Sequence, residues 1–225
     1  MLQAADFQRE LLSAEVLYFT AESEVRVVVM ENQDYRFMLM GDAVQSIMNL
    51  QDPAALEFAH QRLMLAQLDT LPAGARVLEL GLGGGSAVRH ANLRGLALDW
   101  VTVERSSEVI NLYWDYFEPT PPTAPFKLHI ELAESQQYLG QATNSQFELI
   151  LCDVYDQLSQ TLVANCLNRL SPSGELVINW LPHMQPEGRD STEFFAQLAA
   201  QHSLQHTLQT ASGFANQIHR LRFNA

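Results

Sequence analysis

Val77-Leu-Glu-Leu-Gly-Leu-Gly-Gly-Gly-Ser86 joins a short apolar run to an acidic residue and a cluster of glycines, and Ala87-Val-Arg-His-Ala91 follows it. That order reads as strand, tight turn and helix start. Glycine serves twice in such a turn. The chain can take backbone angles closed to other residues, and a ligand can come close to bare backbone. The following helix points its free N–H groups into the same space, so the ribose or an anionic part of a nucleotide-like ligand finds donors without a cationic side chain. The stretch is a nucleotide-binding hinge.

Spacing separates the candidate ligands. A dinucleotide fingerprint needs Gly-x-Gly-x-x-Gly, but here Gly81-Leu-Gly83-Gly-Gly85 is followed by Ser86 where the third glycine would fall, which weakens an NAD reading. The pattern Glu79-x-Gly81-x-Gly83-x-Gly85 instead resembles motif I of the class I S-adenosylmethionine (AdoMet) enzymes. The resemblance implies that Glu79 steadies the loop and the sulfonium end of the cofactor, and that Gly81, Gly83, Gly84 and Gly85 form its cradle.

On both sides of the hinge the pattern is that of a single α/β unit. Before it, Phe7 to Leu17 has helical spacing. Val25–Met30 and Tyr35–Met40 read as a hairpin across Asn32-Gln-Asp34, with Ala43–Met48 as a possible third strand. Asp52-Pro53 starts a helix carried by apolar periodicity to Leu68. After it, strands at Leu98–Val103, Phe126–Glu131, Phe147–Cys152 and Glu175–Trp180 alternate with helices at Glu108–Phe117, Glu134–Ala142 and 157–170. Asp190-x-x-Glu193 resembles a capping box opening a helix over Ser191–Gln201, and Leu204–Thr210 with Phe214–Phe223 reads as a closing hairpin. The expected fold is a doubly wound, Rossmann-like, mostly parallel seven-stranded sheet. Residues 1–50 supply an N-terminal helix and small β element, and residues 51–225 the AdoMet-binding domain.

Composition excludes other classes. A length of 225 residues fits one main core, and 47% hydrophobic with 17% charged residues is globular. The 26 acidic and 13 basic residues give a net charge of -13 without a basic cluster, so nucleic acid is not an expected partner and a cationic or neutral small molecule is. Cys152 and Cys166 are too far apart for a metal-ligand pair and read as buried thiols, so no metal is expected. The charged N-terminal residues and the lack of a long apolar run lead to the expectation of a cytoplasmic protein with no membrane partner. His183, His202, His206 and His219 read as loop or surface residues, and the three tryptophans as packing residues.

On such a sheet the chemistry belongs at the carboxyl ends of the strands. Glu104, closing the second strand with Arg105 beside it, can accept both ribose hydroxyls. Glu134-Ser135, after the third strand, can take an adenine amino group; Glu134 could equally be the first-turn acid of its helix. The fourth strand ends in Cys152-Asp153-Val-Tyr-Asp156. Two carboxylates three apart can hold a cation and accept a proton. An amine with a pKa of about 10 needs that help before its lone pair can attack carbon.

The hairpin before the hinge, Gln45, His60, Gly81–Ser86, Val103-Glu104, Glu134-Ser135 and Asp153–Asp156, in this order, resemble the spermidine synthase family of aminopropyltransferases. The resemblance implies that decarboxylated AdoMet donates an aminopropyl group to an amine such as a polyamine. It further implies that Asp153 is the base, and that Asp156, Tyr155, Gln45 and His60 bind the acceptor. The chain departs from the family pattern at several places. The family's Gly-Gly-Gly-Asp-Gly-Gly reads Gly81-Leu-Gly-Gly84-Gly-Ser86, with space expected at Gly84 for a cofactor carboxylate. The family's Tyr-His-Glu reads Ala59-His60-Gln61, and its gate loop after Asp156 is absent. An AdoMet-dependent methyltransferase and a non-catalytic nucleoside-binding homologue are the alternatives. An exposed hairpin ahead of the main unit makes a homodimer an expectation.

Overall fold

The computed structural model of the chain describes residues 4–21, 26–141, 145–155 and 158–224. Helix α1 (Ala4–Leu12) leads into four antiparallel strands, β1 (Glu15–Thr20), β2 (Val27–Glu31), β3 (Tyr35–Met40) and β4 (Ala43–Asn49), which lie side by side in chain order. The expected hairpin is thus the middle of a four-stranded sheet. Asn32 tightens its turn by accepting from the amides of Asp34 and Tyr35. The helix expected to reach Leu17 stops at Leu12. Glu15-Val-Leu-Tyr-Phe-Thr20 is rich in β-branched and aromatic residues and pairs with β2 instead.

The helix expected from Asp52 to Leu68 is reduced to α2 (Ala59–Met64) and a 3-10 turn at Leu68–Thr70. Tertiary partners take the carbonyls a helix would need. The Pro53 carbonyl accepts from Arg89 Nε at 2.7 Å, and that of Ala54 lies 2.7 Å from His90 Nδ1. Asn49 meanwhile folds Gln51 and Asp52 into a turn through its side-chain oxygen.

The second sheet carries the hinge. Its strands are β5 (Ala75–Leu80), β6 (Leu98–Glu104), β7 (Lys127–Leu132), β8 (Phe147–Cys152), β9 (Leu170–Trp180), β10 (Leu204–Thr210) and β11 (Gln217–Phe223), in the order β10-β11-β9-β8-β5-β6-β7. The five from β5 to β9 run parallel, and β11 pairs antiparallel to β9 and β10. The connecting helices are α3 (Ser86–Leu93), α4 (Ser107–Leu112) with a π-helical turn at Tyr113–Phe117, α5 (Ser135–Leu139), α6 (Gln160–Asn168) and α7 (Ser191–His202). The expected capping box forms: Asp190 Oδ1 accepts from the Glu193 amide at 2.9 Å. Strand β9 begins at Leu170 rather than Glu175, with a register shift against β8 that absorbs Ser171-Pro-Ser-Gly174.

Val77, Leu78 and Leu80 of β5 are fully buried, as a parallel strand covered on both faces requires. On one face Val77, Leu82 and Trp100 pack with Val29, Met38 and Met48 of the N-terminal sheet in one continuous core. On the other, Leu78, Leu80 and Ile150 pack with Phe194 and Phe195 of α7. From β5 the chain winds outward to β6 and β7, then returns to the opposite side with β8. The topological switch point therefore lies between β5 and β8, above the glycine loop.

Candidate active site

A cavity of about 330 Å³ opens at that switch point, between the carboxyl ends of β5, β6 and β8, with β4 and α2 as its outer wall. The glycine loop forms its floor. Within the loop, Gly81 N donates to Val103 O at 2.9 Å, Leu82 N to Glu104 Oε2 at 3.0 Å, Gly84 N to Ser46 Oγ at 2.7 Å, and Gly85 N to Leu82 O at 2.9 Å. The amides of Gly83, Ser86 and Ala87 have no such partner among the described residues, and all three residues line the cavity. At the start of α3 such amides are donors open to a ligand. Gly81 has φ +91, and a Cβ there would stand 2.9 Å from the Asp153 carbonyl oxygen. Only glycine lets the loop lie this close to the end of β8.

The acidic groups around the cavity differ in their surroundings. Glu79 is buried, and its Oε2 accepts from Trp100 Nε1 at 3.0 Å and Thr102 Oγ1 at 2.9 Å. Burial pushes its carboxyl up to about 8, against the two hydrogen bonds and with a smaller push from Asp153 and Glu104. Near neutral pH it therefore holds a proton. Glu104 is engaged on both oxygens, accepting from the amides of Leu82 and Ser106. Asp153 accepts from Asn179 Nδ2 at 2.8 Å and from the Tyr155 hydroxyl, whose pKa is raised by burial first and by Asp153 second. Asn179 is held in turn by Asn216 Nδ2 at 2.9 Å, so a chain of amides from β9 and the approach to β11 orients the carboxylate.

The structure brings Gln45, Glu79, Gly81, Gly83, Glu104, Arg105, Ser135, Asp153 and Tyr155 to this one cavity. Four other expected residues do not line it. Gly84 faces away, and a Cβ there would meet Ser46 Cβ at 2.8 Å and the Phe117 ring at 2.9 Å. The expected space for a cofactor carboxylate is therefore absent, because Ser46 and Phe117 fill it. Gly85, at φ +63, backs onto the Tyr113 ring. Glu134 is exposed at the N-cap of α5. His60 is buried behind the wall, stacked on Phe58 at 5.0 Å between centroids; burial lowers its pKa and Asp153 opposes the shift. Asp156 lies outside the described residues.

Side chains that the sequence did not single out as site residues also matter here. Ser46 caps the loop from β4, and Asn179 orients Asp153. Gln61 lines the cavity with a buried Oε1 that has no hydrogen-bond partner. Two packing expectations are corrected as well. His219 is buried rather than on the surface, stacked on Phe195 at 3.9 Å with its ring nitrogen 3.0 Å from His206. Trp114 is 44% exposed.

Sheet order, switch-point cavity and glycine floor define an α/β domain of the AdoMet-methyltransferase type. Among solved structures, the chain is similar to a probable spermidine synthase from Corynebacterium glutamicum, with a TM-score of 0.71 and 18% identity over 92% of this chain and 79% of that one. A spermidine synthase in complex with the transition state analogue AdoDATO gives 0.65 and 16%, covering 92% and 71%. Human methyltransferase-like protein 13 in complex with SAH gives 0.60 and 17%, covering 74% and 82%. At these identities the likeness shows the shared fold. No protein-family model matches the chain. By sequence, the chain is similar to curated polyamine aminopropyltransferases. It is 31% identical over 165 residues to the one from Neisseria meningitidis, covering 68% of this chain and 61% of that protein. It is 28% identical over 167 residues to the one from Chromobacterium violaceum, covering 71% and 63%. The chain thus spans less than two thirds of the length of these curated relatives.

Proposed function

We propose that the cavity binds decarboxylated AdoMet or AdoMet and that the protein transfers the donor's aminopropyl group to an amine. The observation that carries this reading is that Asp153, whose carboxylate Asn179 and Tyr155 hold, lines the same cavity as the glycine loop. In this reading Gly81, Gly83 and Ser86 hold the nucleoside, Glu104 takes the ribose hydroxyls, Ser135 lies toward the base, and Arg105 closes the rim. Glu134, Gly84 and Gly85 support the loop and its surroundings rather than touch the ligand.

The donor supplies a sulfonium-bound carbon and a neutral thioether leaving group. Asp153, positioned by Asn179 and Tyr155, accepts the proton of the incoming amine as its nitrogen forms the new C–N bond and the C–S bond breaks. Gln45, Gln61 and Tyr155 line the acceptor side, with His60 behind them and Asp156 the expected second carboxylate. Gln61 Oε1 is buried with no hydrogen-bond partner, so an amine or hydroxyl of the acceptor would satisfy it once the side chain turns toward the cavity.

Decarboxylated AdoMet mixed with the full chain and a panel of mono-, di- and triamines is expected to release methylthioadenosine with at least one amine. Asp153→Asn is expected to slow release about 10²- to 10⁴-fold while calorimetry still detects the donor. No release with any amine would overturn aminopropyl transfer, and an Asp153→Asn variant of full activity would overturn the role of Asp153. The reading includes pairing of two copies through the edge strand β1, whose Val16 and Phe19 are each 58% exposed. Sedimentation velocity across a concentration series is expected to show a dimer; a monomer throughout would remove that element.

A further inference from the structure

Arg89 is the fully buried cation of the site region, at 0% exposure, and nothing in the proposed chemistry uses it. Its partners are neutral oxygens. Nε donates to Pro53 O at 2.7 Å, Nη1 to Gly84 O at 2.6 Å and to Phe117 O at 3.1 Å, and Nη2 to Ser86 Oγ at 3.5 Å. Taking a guanidinium out of water is costly, and carbonyl oxygens offset that cost only when several converge on it. Burial lowers its pKa to about 10, with Tyr113 and Glu118 opposing, so it stays charged at neutral pH.

The geometry shows what this cation joins. Arg89 stands on α3, and its planar fork reaches the segment after β4 at Pro53, the glycine loop at Gly84 and the end of the π-helical turn at Phe117. An ammonium on a flexible stem cannot span three carbonyls in this way. On its other side Gly84 gives its amide to Ser46 Oγ. The peptide groups flanking Gly84 are therefore both fixed: the carbonyl is drawn to Arg89, away from the cavity, and the amide is drawn to β4. Ser86, whose hydroxyl also meets the guanidinium, begins α3 and lines the cavity.

We propose that Arg89 is the positioning residue of the donor-binding loop: by holding the Gly84 carbonyl and the Ser86 hydroxyl from behind, it sets the direction in which the Gly83 and Ser86 amides meet the nucleoside. Arg89 does not touch the ligand and acts through the loop. This inference rests on the reading of the cavity as a nucleoside site. It also accounts for why the chain between β4 and α2 is not helical, since Pro53 and Ala54 give their carbonyls to α3.

The test uses the full chain with Arg89→Lys and Arg89→Met, and methylthioadenosine as the probe. Calorimetry, at a temperature where circular dichroism shows each variant folded, is expected to give a Kd raised about tenfold or more in Arg89→Lys and a larger rise in Arg89→Met. In turnover assays the donor KM is expected to rise while the acceptor KM holds. In an amide correlation spectrum of the free Arg89→Lys protein, the Gly83 and Ser86 resonances are expected to shift more than those of the β10–β11 hairpin. If Arg89→Met fails to fold, Arg89→Lys carries the test alone. An Arg89→Lys protein that binds the probe as tightly as wild type overturns the inference, as does a rise in donor and acceptor KM together. Wild-type protein that does not bind methylthioadenosine overturns the nucleoside reading itself, a result distinct from either of these.

Discussion

Glu79 sits at the end of a buried strand with an indole N–H and a hydroxyl on one oxygen. Its folded carboxyl titrates at about 8 because burial penalises the charge. In the unfolded chain it titrates near the ordinary carboxyl value of 4.5. Between those values the folded state binds the extra proton, so this group's contribution to stability is complete below about 4.5. It is lost as pH rises to about 8, by at most about 1.4 kcal/mol per pH unit. Glu79→Gln removes that loss. Urea denaturation from pH 5 to 9 is expected to show the stability of the variant gaining on wild type up to about pH 8 and then running parallel; a constant difference would contradict the assignment. A cationic donor would favour the charged form, so its binding to wild type is expected to release a proton and to tighten as pH rises through the same range. Glu79 and Asp153 were readable from the sequence because each closes an apolar run at a strand end. Asn179 and Arg89 were not, because Asn179 meets Asp153 across 26 residues and Arg89 joins Pro53, Gly84 and Phe117 from three separate segments.

The glycine loop works as an element because each of its faces already has an occupant. A side chain at Gly84 would meet Ser46 and Phe117, and one at Gly85 would enter the Tyr113 ring. Restoring the spermidine synthase aspartate by Gly84→Asp is therefore expected to destabilise the fold by about 1–3 kcal/mol, since crowding a filled site forces neighbours off their preferred rotamers. Chemical denaturation measures this. Gly84→Asp combined with Ser46→Gly is expected to recover part of the loss, and equal losses in the single and double variants would show that Ser46 is not the obstacle. The same element explains where local reading went astray. Apolar periodicity from Ala54 to Leu68 was real, yet only Ala59–Met64 is helical because α3 claims the carbonyls ahead of it. The run after Leu12 is extended because β2 offers it a ladder of hydrogen bonds.

Across the whole molecule, the wall of the cavity is tied to strands β9 and β11 of the main sheet through a buried pair. Arg220 on β11 meets Glu175 of β9 at 2.6 Å, both nearly inaccessible, and also donates to the Leu63 carbonyl of α2. Arg220→Met leaves Glu175 with Arg222 at 3.0 Å as its remaining cation, so the expected cost is about 3 kcal/mol, the lower part of the range for breaking a buried pair. Urea unfolding of the variant reads that cost, and a change under about 1 kcal/mol would show the pair to be dispensable. Because Leu63 follows Gln61 in the same helix, loss of this tie is also expected to loosen the cavity wall. The sequence by itself determined the alternation of strands and helices, the doubly wound sheet and the acids at its strand ends, because hydrophobic period, glycine and capping residues act over a few neighbours. Only the tertiary structure decided that the N-terminal strands make a four-stranded sheet sharing the main core, that Gly84 is packed shut, and that Arg89 meets the Gly84 carbonyl and Asn179 the Asp153 carboxylate. Those outcomes depend on which carbonyls and side chains meet across tens of residues, and no local pattern encodes such meetings.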